Sequence, residues 1–216
     1  SAKALKIICK RWLQRYDRLP DAVVLEGPLS GGHQGFTYEQ CLDPEFSLFN
    51  LIPQVKAEIK EWGDFPLIAA GGIWDKNDIE KVISLGADGV QMGTRFIGTH
   101  ECDADIGFKE VILAAEEKDI ELIKSPVGYP ARGIRTNLIN LVEKRMGPKI
   151  QCISNCVSPC QRGKGAKEVG YCIADRLFDS FSGKKETGLF FTGANGYKLK
   201  ELISVKELMH KLVHGE

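Results

Sequence analysis

Glycine-rich turns that follow apolar runs, and one compact set of cysteines, are the parts of this sequence equipped for chemistry. The turns are Glu26-Gly27-Pro28-Leu29-Ser30-Gly31-Gly32-His33, Ala70-Gly71-Gly72-Ile73 and Gln91-Met92-Gly93-Thr94-Arg95. Each is expected at the carboxyl end of a β-strand, where parallel α/β folds bind ligands, and glycine there lets the main chain approach a phosphate. A glycine pair taken singly is equally well a tight turn. Three such turns in register point to a phosphate-bearing ligand. Of the four histidines, His33 alone lies in such a turn. A neutral imidazole takes up a proton near pH 7 and returns it, so His33 is the candidate general base, against the alternative of a packing or surface residue. His100, just past the third strand, is placed to cap or line the same site. His210 and His214 fall in the terminal helix and carry no assigned role.

The chain has seven cysteines; Cys9, Cys41 and Cys102 are scattered, whereas Cys152, Cys156, Cys160 and Cys172 follow the pattern Cys-x3-Cys-x3-Cys-x11-Cys. Four thiolates within reach of one another suit iron-sulfur or zinc. Zinc ribbons use close pairs parted by a long spacer. Three evenly spaced ligands with a distant fourth favour a [4Fe-4S] cluster and leave zinc as the lesser alternative. Four unrelated buried thiols are disfavoured, because Asn155, Ser158, Pro159, Gly163 and Gly165 describe a loop rather than a core. Lys144, Arg145 and Lys149, with Arg162, Lys164 and Lys167, make the same region basic. That is either a solvated face or a local docking patch for an acidic carrier protein.

These residues need elements to hold them. Leu5, Ile8, Cys9, Trp12 and Leu13 form a helical stripe in Ala2 to Tyr16, and Pro20 breaks it before the β-type run Ala22 to Leu25. A helix over Leu48 to Trp62 buries Leu51, Ile52, Val55 and Ile59 and leads to the run Pro66 to Ala70. Asp75 or Asn77 caps the next helix, and Gly86-Ala87-Asp88 feeds a third strand, Gly89 to Met92. A helix near Asp105 to Glu117 precedes a fourth strand, Ile120 to Ile123. Strands alternating with helices imply right-handed βαβ units and a parallel sheet, either doubly wound or closed as a barrel. From Asn137 the alternation is lost, and the cysteine-rich segment gives way to a final helix, Ser204 to Leu212.

Composition narrows the function classes. The 216 residues, 43% apolar, suffice for one sizeable core. Lysine plus arginine equal aspartate plus glutamate at 29 each, so no whole-chain field favours nucleic acid or an anionic membrane. No apolar run reaches the roughly 18 residues of a membrane span, and Ser1 to Arg15 is cationic and amphipathic without a signal-peptide cleavage pattern. The expectation is a cytoplasmic protein with reduced thiols.

The residues themselves resemble a known family, the flavin-dependent nitronate monooxygenases and flavin-type enoyl-acyl-carrier-protein reductases. The likeness is carried by Val23-Val24-Leu25-Glu26-Gly27 with Ser30-Gly31-Gly32-His33-Gln34-Gly35, by Ile68-Ala69-Ala70-Gly71-Gly72-Ile73, and by Gly86 through Phe96. Pro130-Ala131-Arg132-Gly133-Ile134-Arg135 extends it, so it covers Ala22 to Asn137. The resemblance implies the carboxyl-terminal half of a TIM (β/α)8 barrel over 1–136, with 137–216 as an appended cysteine-rich, partly helical iron-sulfur segment. It implies that Glu26, Gly31, Gly72, Gln91, Met92, Gly93 and Thr94 hold FMN, with Gly72, Gly93 and Thr94 nearest the phosphate. Gly32 and Gly71 belong to the same cofactor loops. The cysteine insert departs from the ordinary members and resembles the branch that carries FMN and an iron-sulfur cluster and acts as a decanoyl-acyl-carrier-protein dehydrogenase and isomerase in unsaturated fatty-acid synthesis.

By that resemblance His33 removes an α-proton from a saturated medium-chain acyl thioester while hydride leaves the β-carbon for the flavin. The same base then shifts the double bond to the 3,4-position. The alternative is nitronate oxidation with oxygen as acceptor. A non-enzymatic alternative is a metal-binding module that docks a redox partner. The expected partners are acyl carrier protein and its acyl thioester, and a homodimer is left open. A (β/α)8 barrel needs eight units in about 250 residues. Four strands are expected here, so the expectation is that an upstream segment completes the fold.

Overall fold

The computed structural model describes residues 1–150 and 170–215. Its strands are β1 (Val23–Glu26), β2 (Gly32–His33), β3 (Leu67–Ala70), β4 (Gly89–Gln91), β5 (Ile120–Lys124) and β6 (Pro130–Ile134). Its helices are α1 (Ala2–Tyr16), α2 (Tyr38–Leu42), α3 (Leu48–Trp62), α4 (Lys76–Ser84), α5 (Thr94–Ile97), α6 (Ile106–Ala114), α7 (Asn137–Glu143), α8 (Ile173–Phe181) and α9 (Val205–His214).

Strands β1, β3 and β4 form a parallel sheet in that order, joined by the crossover helices α3 and α4. Helix α3 starts where Ser47 accepts from the Asn50 N–H and stops at Gly63. Its Leu51, Ile52, Val55 and Ile59 recur at helical spacing and are buried, so one stripe faces the sheet. Asp75 is the cap of α4, accepting from the Asp78 N–H at 3.0 Å. The Asp88 carboxylate then ties the units together: it accepts from Lys56 Nζ on α3 at 2.6 Å and from the Leu67 N–H on β3 at 2.8 Å. The lysine and that amide hold its carboxyl below the usual range.

Alternation gives the parallel sheet two unlike faces. Val23, Leu25, Leu67, Ala69 and Val90 pack with α3, Leu5 and Cys9 in one apolar cluster. Val24, one residue out of phase, is 52% exposed. Helix α1 shows the same division. Leu5 and Cys9 are buried, while Ile8, Trp12 and Leu13 of the expected stripe are exposed.

The fourth run forms its strand but does not extend the parallel sheet. β5 pairs antiparallel with β6, and β6 takes β2 on its other edge, with His33 opposite Ala131. The reason is the connection. Gly128, at φ +89°, closes a turn whose N–H bonds the Ser125 carbonyl at 3.1 Å. So short a link reverses the chain, whereas a parallel return takes a dozen residues or more.

The segment expected as an appendage returns to these sheets. Phe190, fully buried, packs with Trp74, Ile112 and Ile134, and Leu189 packs with Ala131 and Leu138. Ile203 bridges in parallel to Thr99, and α9 buries Leu208 and Leu212 beside Phe96 and Met92. The central stripe of α3 carries the fold: Ile52→Ala is expected to destabilise the protein by about 2–5 kcal/mol in equilibrium denaturant unfolding.

Candidate functional site

Pairing aligns three strand ends. Glu26 lies beside Ala70, and Ala70 beside Gln91, so the turns that follow leave the sheet from one row. They enclose a cavity of about 260 Å³ lined by Glu26, Gly31, Gly71, Gly72, Gln91, Met92, Gly93 and Thr94. Gly32, of the residues expected to hold a cofactor, does not line it.

The glycines play different parts. Gly71 sits at φ +90°, and a Cβ there would stand 2.9 Å from the Gly27 carbonyl oxygen. A side chain at Gly31 would meet the Thr192 carbonyl carbon at 2.6 Å. Those two are required by the protein's own packing. Gly93 is not: its φ is −107°, and a Cβ built on it meets nothing within 4 Å. Among the described residues, no atom fills the space beside Gly93. Among the described residues, the N–H groups of Gly72, Gly93 and Thr94 donate no intramolecular hydrogen bond.

A fourth turn, missed from sequence, closes the cavity. Phe191, Thr192, Gly193, Asn195 and Gly196 line it too. The Gly193 N–H donates to Thr94 Oγ1 at 3.0 Å, Asn195 Nδ2 donates to the Gly72 carbonyl at 2.6 Å, and the Ala194 N–H donates to the Leu29 carbonyl at 2.9 Å. The turn is therefore clasped to all three others. The sequence held a usable signal: the run Leu189-Phe190-Phe191 ends in Thr192-Gly193-Ala194-Asn195-Gly196, an apolar run passing into a glycine turn like the others. Arg95, buried, lies with its guanidinium 4.6 Å from the centre of the Trp74 ring, and both residues line the cavity. It brings fixed positive charge to the wall.

His33 sits beside the cavity rather than in its lining. Its ring centre is 5.3 Å from that of Phe191, edge to face, and Phe191 lines the cavity. Nε2 is 2.7 Å from Ser125 Oγ. The loop before it is stapled by buried Gln34, whose side-chain amide Nε2 donates to the carbonyls of Ser30 at 2.9 Å and Gly32 at 3.1 Å. Burial lowers the imidazole pKa, which favours the neutral ring. Burial raises the carboxyl of Glu26, and a hydrogen bond from Ser30 partly offsets this. His100 is exposed and does not line the cavity.

Of the four clustered cysteines, Cys172 is half-buried at the start of α8. Cys152, Cys156 and Cys160 lie outside the described residues. Among the described residues no group of three or more histidine, cysteine or acidic side chains is arranged to hold a metal ion. Lys144, Arg145 and Lys149 are exposed; Arg162, Lys164 and Lys167 lie outside the described residues. No helix among the described residues is long and apolar enough to cross a membrane.

The family model for nitronate monooxygenase matches residues 1–215. The chain belongs to the nitronate monooxygenase family. A probable nitronate monooxygenase of Bacillus subtilis is 38% identical over 118 residues, 55% of this chain and 33% of that protein. A probable nitronate monooxygenase of Staphylococcus saprophyticus is 36% identical over 122 residues, 56% of this chain and 33% of that protein. FabK from Thermotoga maritima superposes with a TM-score of 0.69 and 28% identity, covering 95% of this chain and 56% of that one. Nitroalkane oxidase from Streptomyces ansochromogenes shares the fold, with a TM-score of 0.62 at 23% identity over 90% of this chain and 51% of that one. The chain thus spans about a third of the curated relatives and about half of the solved structures it matches.

The lowered pKa of His33 has a consequence for stability. Above the unfolded value of about 6.5 the ring is neutral in both states; as pH falls below it the unfolded chain takes the proton first, and stability is lost until the lower folded value is passed. His33→Gln is expected to flatten the dependence of the denaturation midpoint on pH between about 7.5 and 5. An unchanged pH dependence would remove the imidazole from a desolvated position.

Proposed function

We propose that this chain is the flavin-binding part of an FMN-dependent oxidoreductase that dehydrogenates medium-chain acyl thioesters on acyl carrier protein and then moves the double bond. The observation that carries this reading is the convergence of three strand-end glycine turns on one cavity, with a neutral imidazole next to it. The residues suit FMN. Among the described residues, the open space at Gly93 and the N–H groups of Gly72, Gly93 and Thr94 together favour a phosphate. When bound, FMN supplies a hydride acceptor. His33 takes the α-proton of the thioester; in the isomerisation it takes a γ-proton and returns one to the α-carbon. The FabK neighbour, an enoyl-acyl-carrier-protein reductase, supports an acyl thioester as substrate.

The open face of the β1-β3-β4 sheet, marked by exposed Val24, is read as the inner wall of a (β/α)8 barrel whose second half is 1–136. The cysteine spacing supports a [4Fe-4S] cluster in the 137–216 segment. The basic residues Lys144, Arg145 and Lys149 support docking of acidic acyl carrier protein. A second reading, oxidation of nitronates with oxygen, is favoured by the family itself and by the relatives that carry that name.

Flavin reduction by decanoyl-acyl-carrier protein against that by propionate-3-nitronate separates the two. The first is expected to be the faster, and His33→Ala to slow it by about 100-fold or more. A His33→Ala protein with normal turnover would sink the base assignment. Iron and sulfide analysis beside an absorption spectrum tests the cluster, and colourless protein holding zinc without flavin would favour a metal-binding module instead. Gly93→Val is expected to leave thermal unfolding within about 0.5 kcal/mol of the parent while weakening FMN retention by about 10-fold.

A further inference from the structure

We propose that Ser125 is the positioning residue of His33: its Oγ receives the Nε2 proton in a hydrogen bond, which leaves Nδ1 as the nitrogen that exchanges protons with substrate. The inference rests on the reading of His33 as the base.

The geometry comes from two elements far apart in sequence. β2 carries His33 along the edge of β6, opposite Ala131. Ser125 opens the turn that joins β5 to β6 and is 4% exposed. Its carbonyl accepts the Gly128 N–H at 3.1 Å, and its Oγ accepts the Val127 N–H at 3.4 Å, so both backbone and side chain are held. From that anchored position Oγ stands 2.7 Å from Nε2. Phe191 limits the ring on another side, with the planes at 76°. Among the described residues Nδ1 has no partner.

Among the described residues, the groups that meet the imidazole are a hydroxyl, a phenyl ring and the Ala131 strand position, none of them charged. Arg132, the neighbour of Ala131, alternates away and donates to the Pro28 carbonyl at 3.0 Å. This matters because a carboxylate at the place of Ser125 would also orient the ring but would stabilise the imidazolium, making the base protonated at neutral pH. A hydroxyl orients without that cost. It fixes one tautomer, and tautomer and orientation are what a proton-transferring histidine most needs from its neighbour. The proton taken from substrate carbon resides on Nδ1, Nε2–H stays on Ser125, and the return of the Nδ1 proton restores the starting state.

The test uses the full-length, flavin-loaded protein and two readouts. Nitrogen-15 NMR of the histidine rings, with the His33 signal assigned by its loss in His33→Ala, is expected to show the Nε2–H tautomer. Ser125→Ala is expected to mix the tautomers and to lower kcat by about 10- to 100-fold with little change in KM. Ser125→Thr, which keeps a hydroxyl, is expected to restore both. Ser125→Asp is expected to move the acid limb of the kcat/KM profile to higher pH. An unaltered tautomer in Ser125→Ala, or a Ser125→Asp profile that does not move, overturns the proposal. A changed tautomer with normal turnover in both Ser125→Ala and His33→Ala overturns the base reading itself, and the catalytic role of Ser125 with it, while the hydrogen bond stands.

Discussion

The register of the parallel sheet is the constraint on which everything else hangs. Because Glu26, Ala70 and Gln91 lie side by side, the three turns that follow begin at one level and can meet over one cavity. A slip of one residue in either pairing would turn the alternating side chains to the wrong face and separate the turns. The register is protected by burial on one side, through Leu25, Leu67 and Ala69 against α3. It is protected again by Asp88, whose single carboxylate fastens β3 to α3 at the start of β4.

On that row a second layer of constraints is built from close approaches of main chain. The turn at Thr192 to Gly196 fits only because Gly31 has no side chain, and it is held by donors to Thr94, Gly72 and Leu29. These contacts use polar groups that a cavity wall would otherwise leave unpaired, which is costly when buried. Among the described residues the N–H groups of Gly72, Gly93 and Thr94 donate no intramolecular hydrogen bond, and a Cβ at Gly93 would meet none of their atoms within 4 Å.

The antiparallel trio of β2, β6 and β5 has a separate task. It carries His33 to the side of the cavity, backs it with Ala131 and presents Ser125 to its ring. Phe191 joins the two halves of the arrangement, since its ring packs against the imidazole and the same residue lines the cavity. His33 and the turns after Ala70 and Gln91 are therefore supported by different sheets.

Much of this was legible in the residues. Helical periodicity in Leu48 to Trp62, the cap at Asp75 and the glycine turns after Glu26, Ala70 and Gln91 depend on neighbours within a few positions, so sequence alone determined the βαβ units and three of the four turns that line the cavity. The nitronate monooxygenase likeness had the same local basis. What only the tertiary structure decided was long-range. The reversal at Gly128 turned the fourth run into a hairpin, since pairing partners are chosen by the connection and not by the strand's own composition. Ser125 meets His33 across 92 positions, and Asn195 meets Gly72 across 123; no periodicity encodes such meetings. The exposed half of the α1 stripe and exposed Val24 make the same point: an apolar pattern states that a face wants cover, and only packing states what covers it.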